Sequence, residues 1–232
     1  MPDRPDHPGR PDRPALILFD VNETLSDMGP MGERFADVGV PPELARLWFA
    51  SLLRDGFALT AAGGQERFAV LAEGALRGVL AGAPLDRDAD AAVAHVLAGM
   101  STLEVHPDVP DGLRRLRQGG SRLVTLSNGA VSVADSLLTR AGVRGELEDL
   151  LSVEDATAWK PAEASYQWAA ERCEVAAGDA MLVAVHPWDV DGAARAGLRT
   201  AWLDRRGTPY PTYFTAPELT ATSLTHLADL LA

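Results

Sequence analysis

Asp20 is the residue from which chemistry can first be argued. It ends the run Ala15-Leu16-Ile17-Leu18-Phe19, whose near-continuous apolar character predicts a strand buried on both faces. Ligands and reacting groups gather at the carboxyl ends of strands in open α/β sheets. A carboxylate in that position can form a covalent intermediate. It can equally be the cap of a turn or helix. The following residues, Asn22, Glu23, Thr24 and Ser26, are polar or loop-compatible. None obviously offsets the desolvation of the carboxylate, so its partners must come from elsewhere in the chain.

Three later stretches supply candidates. Ser127-Asn128-Gly129 ends the apolar run Arg122–Leu126 and offers hydrogen-bond donors to a bound anion or leaving group, or else a plain turn. Lys160, before Pro161, can hold Asp20 ionised or be a solvated loop charge. His186-Pro187-Trp188-Asp189 ends the run Ala180–Val185. Asp189 can orient Lys160 or a hydrolytic water, and as a helix N-cap it would serve structure alone. The joint reading is preferred because all these groups fall at successive strand ends, which share one edge of a parallel sheet.

The elements that must position them follow an α/β rhythm. Helices are expected at 107–118, 131–141, 163–173, 190–196 and 224–231, with strands at 122–126, 150–153, 180–185 and 199–203 between them. Residues 28 to 102 show helical patterning and no strand signal. Pro41-Pro42 opens a helix whose Leu44, Leu47, Trp48 and Leu52 keep amphipathic spacing. The fold class expected is therefore α/β: a Rossmann-like parallel sheet with helices on both faces plus an inserted all-helical cap. The boundaries expected are a disordered tail over 1–13, rich in Pro, Asp and Arg; a core of 14–27 and 103–232; and a cap of 28–102 that leaves the core just after Asp20 and can close over that edge.

Bulk properties exclude several classes. At 232 residues, the formal net charge of −12 argues against nucleic acid as the main partner, because phosphate binding needs a basic patch. A small anionic substrate needs only one or two local cations and stays open. One cysteine, Cys173, cannot form an internal disulfide, which fits a cytoplasmic location and a buried structural thiol. No segment has the length and apolarity of a membrane span, and no signal-peptide core is present. Trp48, Phe49 and Leu52 could bury in a homodimer or pack internally.

The ordered set FDVNET (19–24), LSNG (126–129), KP (160–161) and the aspartate of HPWD (186–189) resembles the haloacid dehalogenase superfamily, and the resemblance runs from Ala15 through nearly the whole chain. Within it, phosphatases carry a second Asp two residues after the nucleophile. Asn22 stands there, and an amide cannot give or take that proton. Phosphatases also usually carry an Asp four residues before the position of Asp189 as a Mg²⁺ ligand. Val185 stands there and supplies no oxygen.

The chain is more similar to the type II 2-haloacid dehalogenases, whose reaction uses no metal or other cofactor. That resemblance implies metal-independent hydrolytic dehalogenation of a short 2-haloacid. Asp20 would displace halide to form an ester, and water would release a 2-hydroxy acid. Thr24, Ser127, Asn128, Lys160, Tyr166, Trp188 and Asp189 fall on family positions. Asn22 sits beside the nucleophile.

Departures accompany the match. Phe49 replaces a family arginine that binds substrate carboxylate and halide, and Arg54 or Arg46 on the same helix is the candidate substitute. Ala184 and His186 replace a family serine and asparagine. His186 either positions or activates water or is a hydrogen-bonded structural residue. Two alternatives remain at this stage: a phosphatase with an altered Mg²⁺ site, and a non-catalytic superfamily scaffold that binds a small acid.

Overall fold

The computed structural model describes residues 13–232; the tail residues 1–12, with His7, lie outside the described residues. Arg13, expected at the end of the tail, is held by the chain. Its Nε donates to the Leu231 carbonyl at 2.9 Å, and its guanidinium reaches the Gly119 carbonyl.

The strands are β1 (Leu16–Phe19), β2 (Arg122–Ser127), β3 (Asp149–Ser152), β4 (Ala180–Ala184), β5 (Arg199–Leu203) and β6 (Leu219–Ala221). They form one parallel sheet in the order β3-β2-β1-β4-β5-β6. The chain therefore builds outward from β1 through β2 to β3, then returns to the other side of β1 for β4. Its direction of winding reverses between β1 and β4, and a crevice opens at that point in such sheets.

Side chains alternate across the sheet with period two. Leu16, Leu18, Val124, Leu126 and Leu182 face one way, where they meet Tyr166, Ala169, Val190 and Ala193. Those four come from α7 (Glu163–Arg172) and α8 (Pro187–Arg195). Ile17, Phe19, Leu123, Met181 and Val183 face the other way, against α5 (Val109–Gln118), α6 (Val131–Arg140) and α9 (Leu224–Leu230). The parallel sheet is covered on both faces, as its unbroken apolar strands require.

Between β1 and β2 lie α1 (Met31–Ala36), α2 (Leu44–Ala61), α3 (Phe68–Leu80) and α4 (Ala89–Met100). Asp88 caps α4 by accepting from the backbone N–H groups of Asp90 and Ala91. Trp48, Phe49 and Leu52 are buried within the chain, packed with Phe35, Phe68 and Leu76, so the internal alternative holds for them. Cys173 is a buried free thiol at the end of α7. No helix among the described residues is long and apolar enough to cross a membrane.

Among the α-helices and strands, α1 and β6 lie outside the expected set. α1 has only six residues and sits in a Met-Gly-Pro turn composition; β6 has three residues at the sheet edge with a half-exposed pattern. Neither carries enough apolar periodicity to be read.

Candidate active site

Asp20 is the first residue after β1 and is only 4% exposed. Its backbone N–H donates to the Val183 carbonyl at 3.1 Å, which continues the β1–β4 pairing into the loop. The carboxylate has three side-chain donors. Thr24 Oγ1 donates to Oδ2 at 2.6 Å, Lys160 Nζ to Oδ1 at 3.0 Å, and His186 Nδ1 lies 3.2 Å from Oδ2. Burial alone would raise the Asp20 pKa. Lys160, His186 and Thr24 outweigh it and hold the carboxyl well below the usual range, so Asp20 is ionised.

Lys160 is fully buried and its ammonium bridges two carboxylates, with Asp189 Oδ2 at 2.6 Å on its other side. Burial works against its charge, but Asp189 and Asp20 more than compensate and raise its pKa. Asp189 is fully buried too, and burial raises its pKa against the pull of Lys160. Its Oδ1 accepts from Tyr166 Oη at 2.6 Å. Asp189 is not the N-cap expected of it. Pro187 takes the first helical position of α8, where its fixed φ and missing N–H cost nothing, and the cap is His186. Asp189 therefore stands in the first turn with its carboxylate turned onto Lys160.

Asn128 also positions Lys160. Its Oδ1 accepts from the Lys160 backbone N–H at 3.0 Å and its Nδ2 donates to the Lys160 carbonyl at 3.2 Å. Both ends of the amide help to place the lysine, and the second Nδ2 proton remains available as a donor. Ser127 Oγ accepts from the Gly129 N–H at 2.9 Å, which leaves its hydroxyl proton to donate. A Cβ on Gly129 would lie 3.4 Å from Ser127 Oγ, 3.6 Å from Asn22 Nδ2 and 3.9 Å from Phe68. Ser127, Asn22 and the Phe68 ring at the start of α3 therefore all lie close to Gly129.

Several of the remaining candidates gather around His186. His186 Nε2 is 2.9 Å from Glu23 Oε2, and the imidazole stacks on Trp188 with ring centres 5.0 Å apart. Trp188 in turn meets Phe57 edge-on at 4.9 Å. The Phe49 ring lies 6.5 Å from His186, so Phe49 supplies an apolar wall beside the imidazole. Arg54 does not join this group: its side chain is 70% exposed and pairs with the neighbouring Asp55. Arg46, one turn before Phe49 on α2, lines a broad cleft of about 1210 Å³ together with Phe49, Glu23 and His186. Asp20 is not part of that lining and reaches it through His186, whose Nδ1 is 3.2 Å from its carboxylate.

Three contributors were not singled out from the sequence. Glu23 was noted only as a loop residue; its charge three positions after Asp20, with a histidine available in HPWD, was the available signal. Arg205, after β5, donates to Asp108 Oδ1 at 2.8 Å and to the Thr24 carbonyl at 2.9 Å, which clamps the Asp20 loop from behind. Trp159 ties the lysine loop to the helical insert. Its Nε1 donates to the Glu66 carbonyl at 2.9 Å, its N–H to Thr60 Oγ1 at 3.2 Å, and its ring stacks on Phe68 at 6.0 Å. Contacts between residues this distant in sequence leave no local pattern.

The space between Asp20 and Asp189 is filled by the Lys160 ammonium. The two carboxylates face a resident cation instead of an open coordination site, and Val185 contributes only its backbone there, donating to Thr24 Oγ1 at 3.1 Å. An ionised buried carboxylate at a strand end, with a fixed cation on one oxygen and hydroxyl and imidazole donors on the other, is equipped to act as a nucleophile.

Comparison with known proteins gives the same picture. Residues 14–197 match the family model for haloacid dehalogenase-like hydrolases. Haloacetate dehalogenase H-2 of Moraxella sp. (strain B) is 34% identical over 130 residues, an overlap covering 56% of this chain and 58% of that protein. (S)-2-haloacid dehalogenase 4A of Burkholderia cepacia is 30% identical over 218 residues, covering 93% of this chain and 94% of that one. Among solved structures, a dehalogenase with intermediate complex superposes with a TM-score of 0.88 at 28% identity, over 95% of this chain and 98% of that one. With the family model spanning residues 14–197 and the matching fold in place around Asp20, the chain belongs to the haloacid dehalogenase-like hydrolases.

Proposed function

We propose that the chain hydrolyses the carbon–halogen bond of a short 2-haloacid, without a metal, through an ester formed on Asp20. The observation that carries this reading is the Asp20–Lys160–Asp189 line, a buried ionised nucleophile whose counter-charge is a lysine. Its similarity to the two named dehalogenases supports the substrate class.

In the first step an Asp20 Oδ1 lone pair bonds to the halogen-bearing carbon, and halide departs with the carbon–halogen electron pair. Oδ1 is the freer oxygen, with Lys160 as its donor, whereas Oδ2 is engaged by Thr24 and His186. A halide leaves as an anion and needs no general acid, so Asn22 is no obstacle. Ser127 and Asn22 offer donors to the substrate carboxylate or the departing halide beside Gly129. Phe49 and Trp188 form apolar walls, and Arg46 is the cation placed to draw the acid into the cleft.

In the second step water attacks the ester carbonyl. Asp189, made more basic by burial, takes the water's proton and later returns it to the leaving hydroxy acid. Residues 28–102 serve as a cap over this edge, coupled to the lysine loop through Trp159, and we place the reaction in the cytoplasm.

The test is halide release from a panel of 2-haloacids in the presence of EDTA. The expected result is release that EDTA does not reduce and that Asp20→Asn abolishes. Release that persists in Asp20→Asn, or that requires added Mg²⁺, would contradict the reading.

A further inference from the structure

His186 lies between two carboxylates, with Nδ1 3.2 Å from Asp20 Oδ2 and Nε2 2.9 Å from Glu23 Oε2. Ionised carboxylates only accept hydrogen bonds, so a ring that satisfies both must donate from both nitrogens and is an imidazolium. Glu23 is itself fixed. Arg206 donates to its other oxygen at 3.0 Å, and His106 Nε2 lies 3.0 Å from its carbonyl. Its φ of 62° is unusual for a residue other than glycine. Such a conformation persists only where surrounding contacts over-determine it.

We infer that His186 and Thr24 are the oxyanion donors for hydrolysis of the Asp20 ester, and that Glu23 is the positioning residue that keeps His186 aimed and charged. The inference rests on the ester route proposed above. Once Oδ1 carries the substrate carbon, Oδ2 is the ester carbonyl oxygen. Thr24 Oγ1 at 2.6 Å and His186 Nδ1 at 3.2 Å already point to it. When water bonds to Cγ, the carbonyl π pair moves onto Oδ2, and these donors meet the new charge without rearrangement. The water's proton goes to Asp189. On collapse the Oδ2 pair re-forms the carbonyl and the Cγ–Oδ1 bond breaks. The hydroxy acid takes the proton from Asp189, and the regenerated Asp20 carboxyl releases its remaining proton to solvent.

The charged groups around the ring agree with this role. Asp20 on the β1 loop and Glu23 on the same loop face it directly. Lys160 lies beyond Asp20, Arg206 beyond Glu23, and Arg46 on α2 lines the same cleft. Burial disfavours the imidazolium, but the bonds to Asp20 and Glu23 raise its pKa to about 9.

The experiment is rapid-quench kinetics with 2-chloropropionate, following the halide burst and the mass of the alkylated enzyme separately. In His186→Gln the ester should still form while its hydrolysis slows by about 10²- to 10³-fold, the usual cost of one oxyanion donor, so alkylated enzyme accumulates. In the wild type the hydrolysis step should decline as pH rises through the imidazole's titration. Glu23→Gln removes one stabilising charge and should move that decline to lower pH, which a purely structural role would not do. If both variants hydrolyse the ester at the wild-type rate, or if hydrolysis accelerates as the ring loses its proton, the inference falls while dehalogenation stands. If the wild type forms no ester, both readings fall.

Discussion

Lys160 Nζ lies 3.0 Å from Asp20 Oδ1, with both side chains withdrawn from solvent. Removing one partner of a buried ion pair leaves an uncompensated charge, at a cost of about 3–5 kcal/mol. Here two carboxylates lose the same ammonium, leaving Asp189 with the Tyr166 hydroxyl and Asp20 with Thr24 and His186. Lys160→Met should therefore unfold at clearly lower urea concentration than the wild type and lose turnover. The Asp20 pKa should rise as its lowering partner disappears, moving the acid limb of any residual activity upward in pH.

The imidazolium at His186 predicts a pH dependence of stability. Its folded pKa, about 9, lies above the unfolded value of about 6.5. The contribution is fully present below about pH 6.5 and is lost as pH rises through about 9. Thermal unfolding across that window should show the melting temperature falling, with the fall reduced in His186→Gln. A melting temperature that rises over the same window in the wild type would contradict a charged ring.

The contact between α2 and the lysine loop gives a third expectation. A Cβ at Gly56 would lie 2.5 Å from the Trp159 ring, closer than real contacts allow. Gly56→Ala should cost about 1–3 kcal/mol, as overpacking generally does. Because Trp159 directly precedes Lys160, it should also depress turnover, measured as halide release at saturating substrate. The loss of both together would distinguish this coupling from an ordinary helix glycine, whose replacement by alanine normally stabilises.

The two arginines of α2 should separate. Arg54 is exposed and paired with Asp55, so Arg54→Ala should change stability by no more than about 0.5 kcal/mol and leave kinetics unaltered. Arg46 lines the cleft beside Phe49, and Arg46→Ala should raise KM for a 2-haloacid with little change in kcat. Equal KM values for the two variants would remove Arg46 from substrate capture.

Much of this site was legible because strand ends in a parallel sheet converge. Asp20, Ser127, Lys160 and Asp189 each follow a readable apolar run or a short loop from one, so their meeting follows from the α/β rhythm alone. What stayed hidden depends on where side chains turn. Asn128 read only as an anion donor, and its bracketing of the Lys160 backbone left no sign in the local sequence. Asp189 looked like a helix cap, but the proline before it starts the helix earlier. Glu23 and Arg205 acquire meaning only through partners far along the chain, His186 and Asp108. The residues 28–102 read as helical, yet the short α1 and the three-residue β6 carried too little periodicity to be seen.

The most direct test of the ester on Asp20 is a single turnover in ¹⁸O-water with enzyme in excess over a 2-haloacid, followed by peptide mass spectrometry. Attack of water on Cγ should place the label in the Asp20 carboxylate, and the 2-hydroxy acid should carry unlabelled oxygen from the protein. Label in the product hydroxyl, with none in Asp20, would mean that water displaces the halide directly and would contradict the account.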